Sequence, residues 1–376
     1  MKAIFCYNFS RFFVSHRLPM LMKIQKEFSE MSFLGHVLDE DKKILNDNFK
    51  YNYNTGISKG STNIFFIIRY LLTHKFPDPQ KINNFDLIEI ATLKGLIYAL
   101  PIIIKNKNAK VVIWVCGIGT IFISKKLKHR IINQIFFVLY GVVNKLRNTN
   151  WIFENNDDKN LFKKRIKIDD SKLSIIEGSG YEINEISNSR KIRSSHKNKI
   201  VFIGRLIRDK GLIEFIEAAK LILKKNTEWS FEIIGHYDDN PSSLVEADLL
   251  KHINNNRILI KGFIKDMSEY YENVYCVVLP SYREGLSRVL IEAGAHSIPS
   301  ITTNVPGCRD IIKNNVNGFL VEPKSIHELE SAIFRLISDK VKARSMGEEA
   351  FDIFNKKYSL ERIANLTLDV YSQKYQ

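Results

Sequence analysis

The sequence is poor in cysteine and has no long apolar run, and these absences exclude several classes of protein. Its 376 residues include four cysteines, Cys6, Cys116, Cys276 and Cys308, with no C-x-x-C pair among them. Scattered cysteines beside apolar segments indicate buried free thiols in a reducing compartment, not a disulfide framework or a zinc site. No stretch approaches the roughly 18 apolar residues that a transmembrane helix needs, and the N terminus lacks the apolar core of a signal peptide. We therefore expect a cytoplasmic protein, or one bound to a cytosolic membrane surface.

The charge is strongly positive and unevenly distributed. The net charge is +15, and residues 1–180 hold 28 Lys and Arg against 15 Asp and Glu, which is +13 and leaves +2 for the rest. A first half this basic predicts an anionic partner, either a membrane surface, a phosphorylated acceptor or a nucleic acid.

The length and the alternation of segments predict two α/β domains. Apolar strand patterns at 1–7, 35–38, 85–91 and 110–116 alternate with helical patterns at 12–28, 61–72, 93–105 and 125–147. That order is typical of parallel sheets. The polar, charged segment 182–199 is typical of a linker. We therefore place a first domain at 1–182, a second at 183–358 and a last helix within 359–376.

The most informative stretch is 279–312. A buried strand pattern ends at Leu279, Pro280 and Gly285 break it, and a helical repeat follows. Glu284 and Glu292 lie eight residues apart, so on one helix they would be about 12 Å apart on nearly the same side. That span suits the hexose and the ribose of a nucleotide sugar, with its diphosphate at the helix N terminus. The alternative interpretation is a surface helix with an Arg288–Glu292 pair.

Three segments carry a resemblance to a known family. The Glu284–Glu292 stretch with the following T-T-N-V-P-G (302–307) resembles the E-x7-E region of retaining family 4 glycosyltransferases of the GT-B fold. G-R-L-x-x-D-K-G (204–211) resembles their second signature, and N-G-F-L-V (317–321) a third. Within the family, the chain is similar to bacterial lipid-linked N-acetylgalactosaminyl and galactosyl transferases.

The resemblance implies a fold, a reaction and a donor site. The fold is two Rossmann-like doubly wound domains facing across a cleft, with the last helix crossing back to the first. The reaction moves a hexose or N-acetylhexosamine from a UDP-sugar to a lipid-pyrophosphate-linked saccharide with retention, by front-face attack. Glu284, Arg205 and Lys210 would be catalytic, and neither a metal nor another cofactor is expected. The donor-binding residues implied are Gly204, Arg205, Lys210, Phe263, Ile264, Glu284, Gly285, Leu286, Ser287 and Glu292.

The acceptor side is less marked in the sequence. His16 and Arg17 follow the first strand, where a doubly wound domain meets its ligand, and predict either an acceptor phosphate site or an ordinary helix start. Many family members have a histidine after the strand at 110–116, but Gly117 and Gly119 stand here and would admit substrate close to the backbone. Asp39-Glu40-Asp41 matches a D-x-D metal pattern, yet its polar surroundings favour a solvated turn.

The helix at 125–147 has basic ends around an apolar middle. It predicts either a buried core helix or a surface pressed against an anionic bilayer, which would place the protein on the cytosolic face of the inner membrane. Two other functions remain to be compared. A UDP-N-acetylglucosamine 2-epimerase shares this fold but needs acid and base side chains that the first domain lacks. A nucleic-acid-binding protein would fit the charge, but no binding module is apparent.

Overall fold

The computed structural model describes residues 1–57, 82–117, 127–147, 149–183, 198–226, 228–237, 243–244, 246–253, 256–264 and 266–373. The helix expected at 61–72 lies outside these residues. The chain divides into two compact units, one of Met1–Gly180 with Leu360–Gln376 and one of Tyr181–Ser359.

The first unit is built on a parallel seven-stranded sheet with the order β3-β2-β1-β4-β5-β6-β7. Its strands are β1 (Lys2–Phe9), β2 (Glu30–His36), β3 (Tyr51–Asn54), β4 (Leu87–Ala91), β5 (Lys110–Val115), β6 (Thr149–Phe153) and β7 (Leu173–Ile175). Its described helices are α1 (Ser10–His16), α2 (Leu18–Lys23), α3 (Lys42–Asn48), α4 (Leu93–Lys105), α5 (Leu127–Leu146), α6 (Asn156–Ile166) and, at the end of the chain, α13 (Leu360–Ser372). The strand order reverses between β1 and β4.

The central strands of this sheet are buried on both faces. Every residue of β4 and β5 is buried, and two apolar clusters cover the two faces of the sheet. Continuous apolar runs are what a parallel sheet covered by helices requires. α4 begins and ends where the sequence predicts. The Thr92 side chain accepts a hydrogen bond from the Gly95 N–H and caps the start of the helix.

Three predictions for this unit, two on element boundaries and one on the solvation of a turn, were wrong. The helix expected at 12–28 is broken into α1 and α2, because Pro19 in the first turn of α2 cannot continue a preceding helix. β2 begins at Glu30 instead of residue 35, in parallel register with β1. The turn at 39–41 is not fully solvated: it is a short 3-10 helix in which buried Asp41 accepts from Ser10 Oγ at 2.6 Å.

The second unit has a parallel six-stranded sheet with the order β10-β9-β8-β11-β12-β13. Its strands are β8 (Lys199–Ile203), β9 (Ser230–Ile234), β10 (Ile258–Gly262), β11 (Cys276–Leu279), β12 (Ser300–Thr303) and β13 (Gly318–Val321). Its described helices are α7 (Leu212–Lys225), α8 (Glu246–His252), α9 (Ser268–Tyr271), α10 (Arg288–Ala295), α11 (Ile326–Ser338) and α12 (Lys340–Lys357). Here the order reverses between β8 and β11.

α13 is anchored in the first unit by polar contacts at its C-terminal end. The Lys110 ammonium donates to the carbonyls of Val370 at 2.5 Å and Gln373 at 2.7 Å. The Tyr371 hydroxyl donates to buried Glu89, which also accepts from the Tyr7 hydroxyl. A cation at the last carbonyls of a helix stabilises it, so the end of the chain is fixed beside β1, β4 and β5.

Candidate active site

The strongest candidate site lies where the strand order of the second unit reverses. β8 and β11 are paired in parallel, with Ile200 beside Cys276 and Val201 beside Val277. Their following loops, 204–211 and 280–287, therefore lie next to each other at the carboxyl edge of the sheet. In doubly wound sheets, ligands bind in the crevice outside this point of reversal. The two strongest sequence motifs are therefore brought together here.

The two loops approach each other at a glycine. Gly211 has a φ of +72°, and a Cβ there would stand 2.1 Å from the Pro280 carbonyl oxygen. The Tyr282 N–H donates to the Asp209 carbonyl at 2.9 Å and links the same loops. Only glycine satisfies both the conformation and the space, which explains the last residue of the D-K-G motif.

Lys210 and Glu284 form an ion pair at the centre of this junction. The Lys210 ammonium donates to Glu284 Oε1, and the two side chains are 17% and 12% exposed. The loop carrying Glu284 is held from the other side, since the Glu284 N–H donates to the Pro306 carbonyl at 3.3 Å. A Cβ on Gly307 would lie 2.6 Å from the Gly285 carbonyl. The Val-Pro-Gly segment therefore supports the loop directly.

The predicted helical spacing of the two glutamates was wrong. α10 begins at Arg288, and its N-cap residue Ser287 is extended, with φ −77° and ψ 104°. Glu284 therefore lies in the loop before the helix, so the 12 Å separation along one helix does not apply. Ser287 makes no side-chain cap hydrogen bond within the described part of the chain, although its N–H donates to Gly307. The N terminus of α10 thus keeps the anion-binding character of a helix start.

Glu292 lies inside α10 and is oriented by two side chains. The Arg288 Nε–H donates to Oε1 at 2.7 Å, and the Tyr271 hydroxyl donates to Oε2 at 3.0 Å. The pair with Arg288 is the one that the alternative interpretation predicts. The contact with Tyr271, in contrast, was not predicted, because Tyr271 is 21 residues from Glu292 and no sequence pattern links the two. Burial, followed by the Glu292 charge, raises the pKa of Tyr271 well above its usual value, so its hydroxyl stays a donor.

The candidate base position is at the end of β10. The Phe263 side chain is 65% exposed and meets the His236 ring edge-to-face at 6.0 Å. Ile264 is partly buried against the apolar cluster around Tyr271 and Ala293. Phe263 thus offers an exposed aromatic face at the same edge of the sheet as the other motif loops.

Gly204 lies against another glycine at this edge. Its N–H donates to the Ile234 carbonyl at 2.9 Å, and its own carbonyl oxygen would be 1.8 Å from a Cβ placed on Gly235. Arg205 and Leu286 are both partly buried in the adjoining loops. Every predicted donor residue therefore belongs to this second unit, on the loops that follow β8, β10 and β11 or in α10.

The predicted acceptor residues lie in the first unit and differ in exposure. His16 is partly buried and stacks on Phe12 with ring centroids 4.6 Å apart. Arg17 is fully buried, with its guanidinium carbon 3.4 Å from the Trp114 ring centroid and a hydrogen bond to Glu154 at 3.0 Å. The enclosed guanidinium of Arg17 links the ends of β5 and β6, and a contact with an acceptor phosphate stays a prediction.

The predicted glycine pair is described only in part. Gly117 has a φ of +101° directly after β5, and Gly119 lies outside the described residues. Beside Gly117, Cys116 Sγ accepts from Arg17 at 3.1 Å, and burial raises the pKa of its thiol to about 12. All four cysteines are free and three are buried, as the sequence predicts.

Comparison with known proteins found one matching family model and several relatives. Residues 184–352 match the family model described as Glycosyl transferases group 1. The capsular polysaccharide biosynthesis glycosyltransferase CapM of Staphylococcus aureus is 27% identical over 292 residues, which is 76% of this chain and 68% of that protein. The UDP-Gal:alpha-D-GlcNAc-diphosphoundecaprenol alpha-1,3-galactosyltransferase of Escherichia coli is 28% identical over 60% of this chain and 62% of its own length.

Solved structures show the same fold over the whole chain. Sucrose-phosphate synthase from Thermosynechococcus elongatus superposes with a TM-score of 0.78, 14% identity and coverage of 99% of this chain and 98% of that one. HepE from Anabaena, solved with UDP and glucose, gives a TM-score of 0.72 at 18% identity with both chains fully covered. The predicted fold class, two Rossmann-like α/β domains of the GT-B kind, is confirmed.

Proposed function

The chain carries a glycosyl transferases group 1 domain, and on that basis we propose that it is a retaining glycosyltransferase of bacterial polysaccharide biosynthesis. It moves a hexose or N-acetylhexosamine from a UDP-sugar to a saccharide carried on a lipid pyrophosphate. The observation that carries the proposal is the Lys210–Glu284 ion pair beside the N terminus of α10. It combines a cation for the leaving diphosphate with a carboxylate for the sugar.

The charge distribution of this site supports leaving-group stabilisation without a metal. As the sugar–phosphate bond breaks, negative charge develops on the diphosphate, and donors already aimed at it lower the barrier. Lys210 has three N–H donors, so it can keep Glu284 and still bind a phosphate oxygen. Arg205 adds a second cation from the same loop, and the start of α10 adds backbone N–H groups.

The ion pair also supports retention by front-face attack. A carboxylate held by Lys210 is oriented to accept hydrogen bonds from sugar hydroxyls, and its charge is less available for attack at carbon. The acceptor hydroxyl would then approach on the face that the diphosphate leaves. Its proton would pass to the departing phosphate oxygen, and the new glycosidic bond would keep the anomeric configuration.

The donor proposal rests on the nucleotide end of the site. Glu292 suits a ribose, and exposed Phe263 offers its ring to a base. The name of the E. coli relative includes UDP-Gal, and HepE was solved with UDP. UDP is therefore the nucleotide that we propose.

The acceptor proposal rests on charge in the first unit. Between Glu89 and Glu154 the chain has ten Lys and Arg and no Asp or Glu. The names of the relatives from E. coli and from Campylobacter jejuni, the latter 25% identical over 68% of this chain, include diphosphoundecaprenol or diphospho-undecaprenol. A segment this basic suits a pyrophosphate-linked lipid and the anionic leaflet that holds it.

α5 supplies a surface that fits peripheral attachment to that leaflet. Phe136, Tyr140 and Val143 bury one face of the helix in the core. Another face of the helix exposes the apolar side chains of Ile131 (54%), Val138 (63%), Val142 (46%) and Leu146 (68%). Exposed Arg130 and Lys145 lie near the two ends of the helix. No described helix is long and apolar enough to span a membrane. The two alternatives predicted for this helix are therefore both part of our proposal: one face packs in the core, and another faces the bilayer.

A transfer assay tests this function. Purified protein is incubated with a panel of UDP-hexoses and UDP-N-acetylhexosamines and with short-chain lipid-pyrophosphate-linked acceptors. We expect one donor to yield a longer saccharide whose anomeric coupling constant in NMR matches that of the donor. An inverted product would refute retention. Release of free sugar or epimerised donor with every acceptor would refute the transferase proposal.

A further inference from the structure

Among the described residues, Glu292 accepts two hydrogen bonds, about half of its capacity. One oxygen accepts from Arg288 Nε and the other from the Tyr271 hydroxyl, at 2.7 and 3.0 Å. A carboxylate offers about four acceptor positions, so about two remain. The two adjacent hydroxyls of a ribose need two. The side chain is 14% exposed, which leaves an edge of the carboxylate within reach of a ligand.

Tyr271 is the more rigid of the two partners. It is fully buried, whereas the Arg288 side chain is 32% exposed and can sample several rotamers. The Tyr271 ring stacks on His296 with centroids 4.8 Å apart and planes inclined by 25°. The His296 ring in turn shares a hydrogen bond with the Tyr181 hydroxyl at 3.3 Å.

The position of Tyr271 in the chain links it to the base. α9, which ends at Tyr271, begins four residues after Ile264, and the Tyr271 N–H donates to the Met267 carbonyl at 2.9 Å. Ile264 packs against the same apolar cluster that contains Tyr271. The segment that would hold the base therefore also delivers the hydroxyl that holds Glu292.

We propose that Tyr271 is a positioning residue, whose buried hydroxyl holds the Glu292 carboxylate in the orientation that receives the ribose diol of the donor. This inference rests on the proposed function, because it takes the ligand to be a uridine nucleotide. Tyr271 itself does not touch the ligand. Without its hydroxyl, Glu292 loses one of two restraints and spends part of its time turned toward Arg288 alone.

The test compares two ligands in two variants. UDP and 2′,3′-dideoxy-UDP are titrated by calorimetry into the wild type, Tyr271→Phe and Tyr275→Phe. Tyr275 is the matched control, because its hydroxyl donates at 2.9 Å to the Leu336 carbonyl, outside the donor residues. Wild type should bind UDP at least about 100-fold more tightly than the dideoxy compound, since two hydrogen bonds to a charged group are lost.

Tyr271→Phe should bind UDP about tenfold more weakly and the dideoxy compound within twofold of wild type, so that the preference shrinks. The KM for the donor should rise while kcat changes little. Tyr275→Phe should leave both affinities unchanged. A structural role alone would lower both affinities of Tyr271→Phe equally, and that result would overturn the proposal, as would no change in either.

The same titrations distinguish failure of the proposed UDP-sugar donor from failure of the Tyr271 role. If the wild type binds neither nucleotide, the UDP proposal and this inference both fall. If it binds UDP and the dideoxy compound equally, the donor proposal stands, but Glu292 does not read the ribose and the positioning role is refuted.

Discussion

Glu284→Gln is the most direct perturbation of the candidate site. Glutamine keeps the shape of the side chain, and its amide oxygen can still accept from Lys210, so only the charge is lost. A hydrogen bond to a charged group contributes about 1.5–3 kcal/mol, and the bond from the Lys210 ammonium to glutamine would keep part of that; both side chains are partly buried. The free energy of unfolding should therefore fall by only about 1–2 kcal/mol, well within the 5–15 kcal/mol typical of a domain.

Transfer should fall far more than stability. If the carboxylate orients the sugar only as the bond breaks, kcat should drop by about 100-fold or more, with UDP affinity nearly unchanged. The measurements are kcat with the preferred donor, UDP titration by calorimetry, and a thermal melt. Glu348→Gln is the matched control, because the exposed pair with Arg344 at 3.1 Å contributes little. If Glu284→Gln keeps more than about a tenth of wild-type turnover, the assigned role is wrong.

Three further predictions concern the cations, a glycine and the membrane. Activity should survive excess EDTA, while Arg205→Ala or Lys210→Ala lowers kcat by about 100-fold. If EDTA abolishes activity and added Mn²⁺ or Mg²⁺ restores it, metal independence is refuted. Gly211→Ala should lower the unfolding free energy by about 2 kcal/mol or more in urea melts, whereas Gly262→Ala, with a similar φ but no atom within 4 Å of its Cβ, should cost about 1 kcal/mol. The protein should sediment with anionic vesicles at low salt but not with neutral ones. Val138→Glu should weaken this binding without changing the thermal melt. Equal binding to both vesicle types would count against electrostatic docking.

Buried polar side chains of the first unit pair with one another, so not every basic residue of this unit is available to a ligand. Arg17 and Glu154 are both buried and hydrogen-bonded to each other, and Glu89 is bonded to the hydroxyls of Tyr7 and Tyr371. Burial raises the pKa of Glu89, partly opposed by the positive charge of Arg17. These groups tie α13 to the ends of the central strands, and the cations left for an anionic acceptor are the exposed ones.

Local patterns in the sequence determined the elements and the motif loops. Apart from Glu89 and Lys110, the residues of β4 and β5 are apolar because both faces of these strands are covered, and such runs can be recognised without a structure. α4 has its capping threonine in the sequence, so its start was predictable. The strand–turn–helix order around Gly204–Gly211 and Pro280–Glu292 also follows from local signals, whereas the donor residues on these loops were named from the resemblance to a known family.

Only the tertiary structure decided which side chains meet. The Tyr271–Glu292 bond spans 21 residues and the Lys210–Glu284 pair spans 74, and periodicity cannot report contacts across a sheet. The start of α10 depends on support from Gly307, so Glu284 falls in a loop. Arg17 has the sequence of an exposed helix end, yet it is enclosed because Trp114 and Glu154 approach it from other strands. A sequence pattern reports local conformation. The role of a side chain, in contrast, depends on its neighbours in space, which parallel strand pairing brings together from distant positions in the sequence.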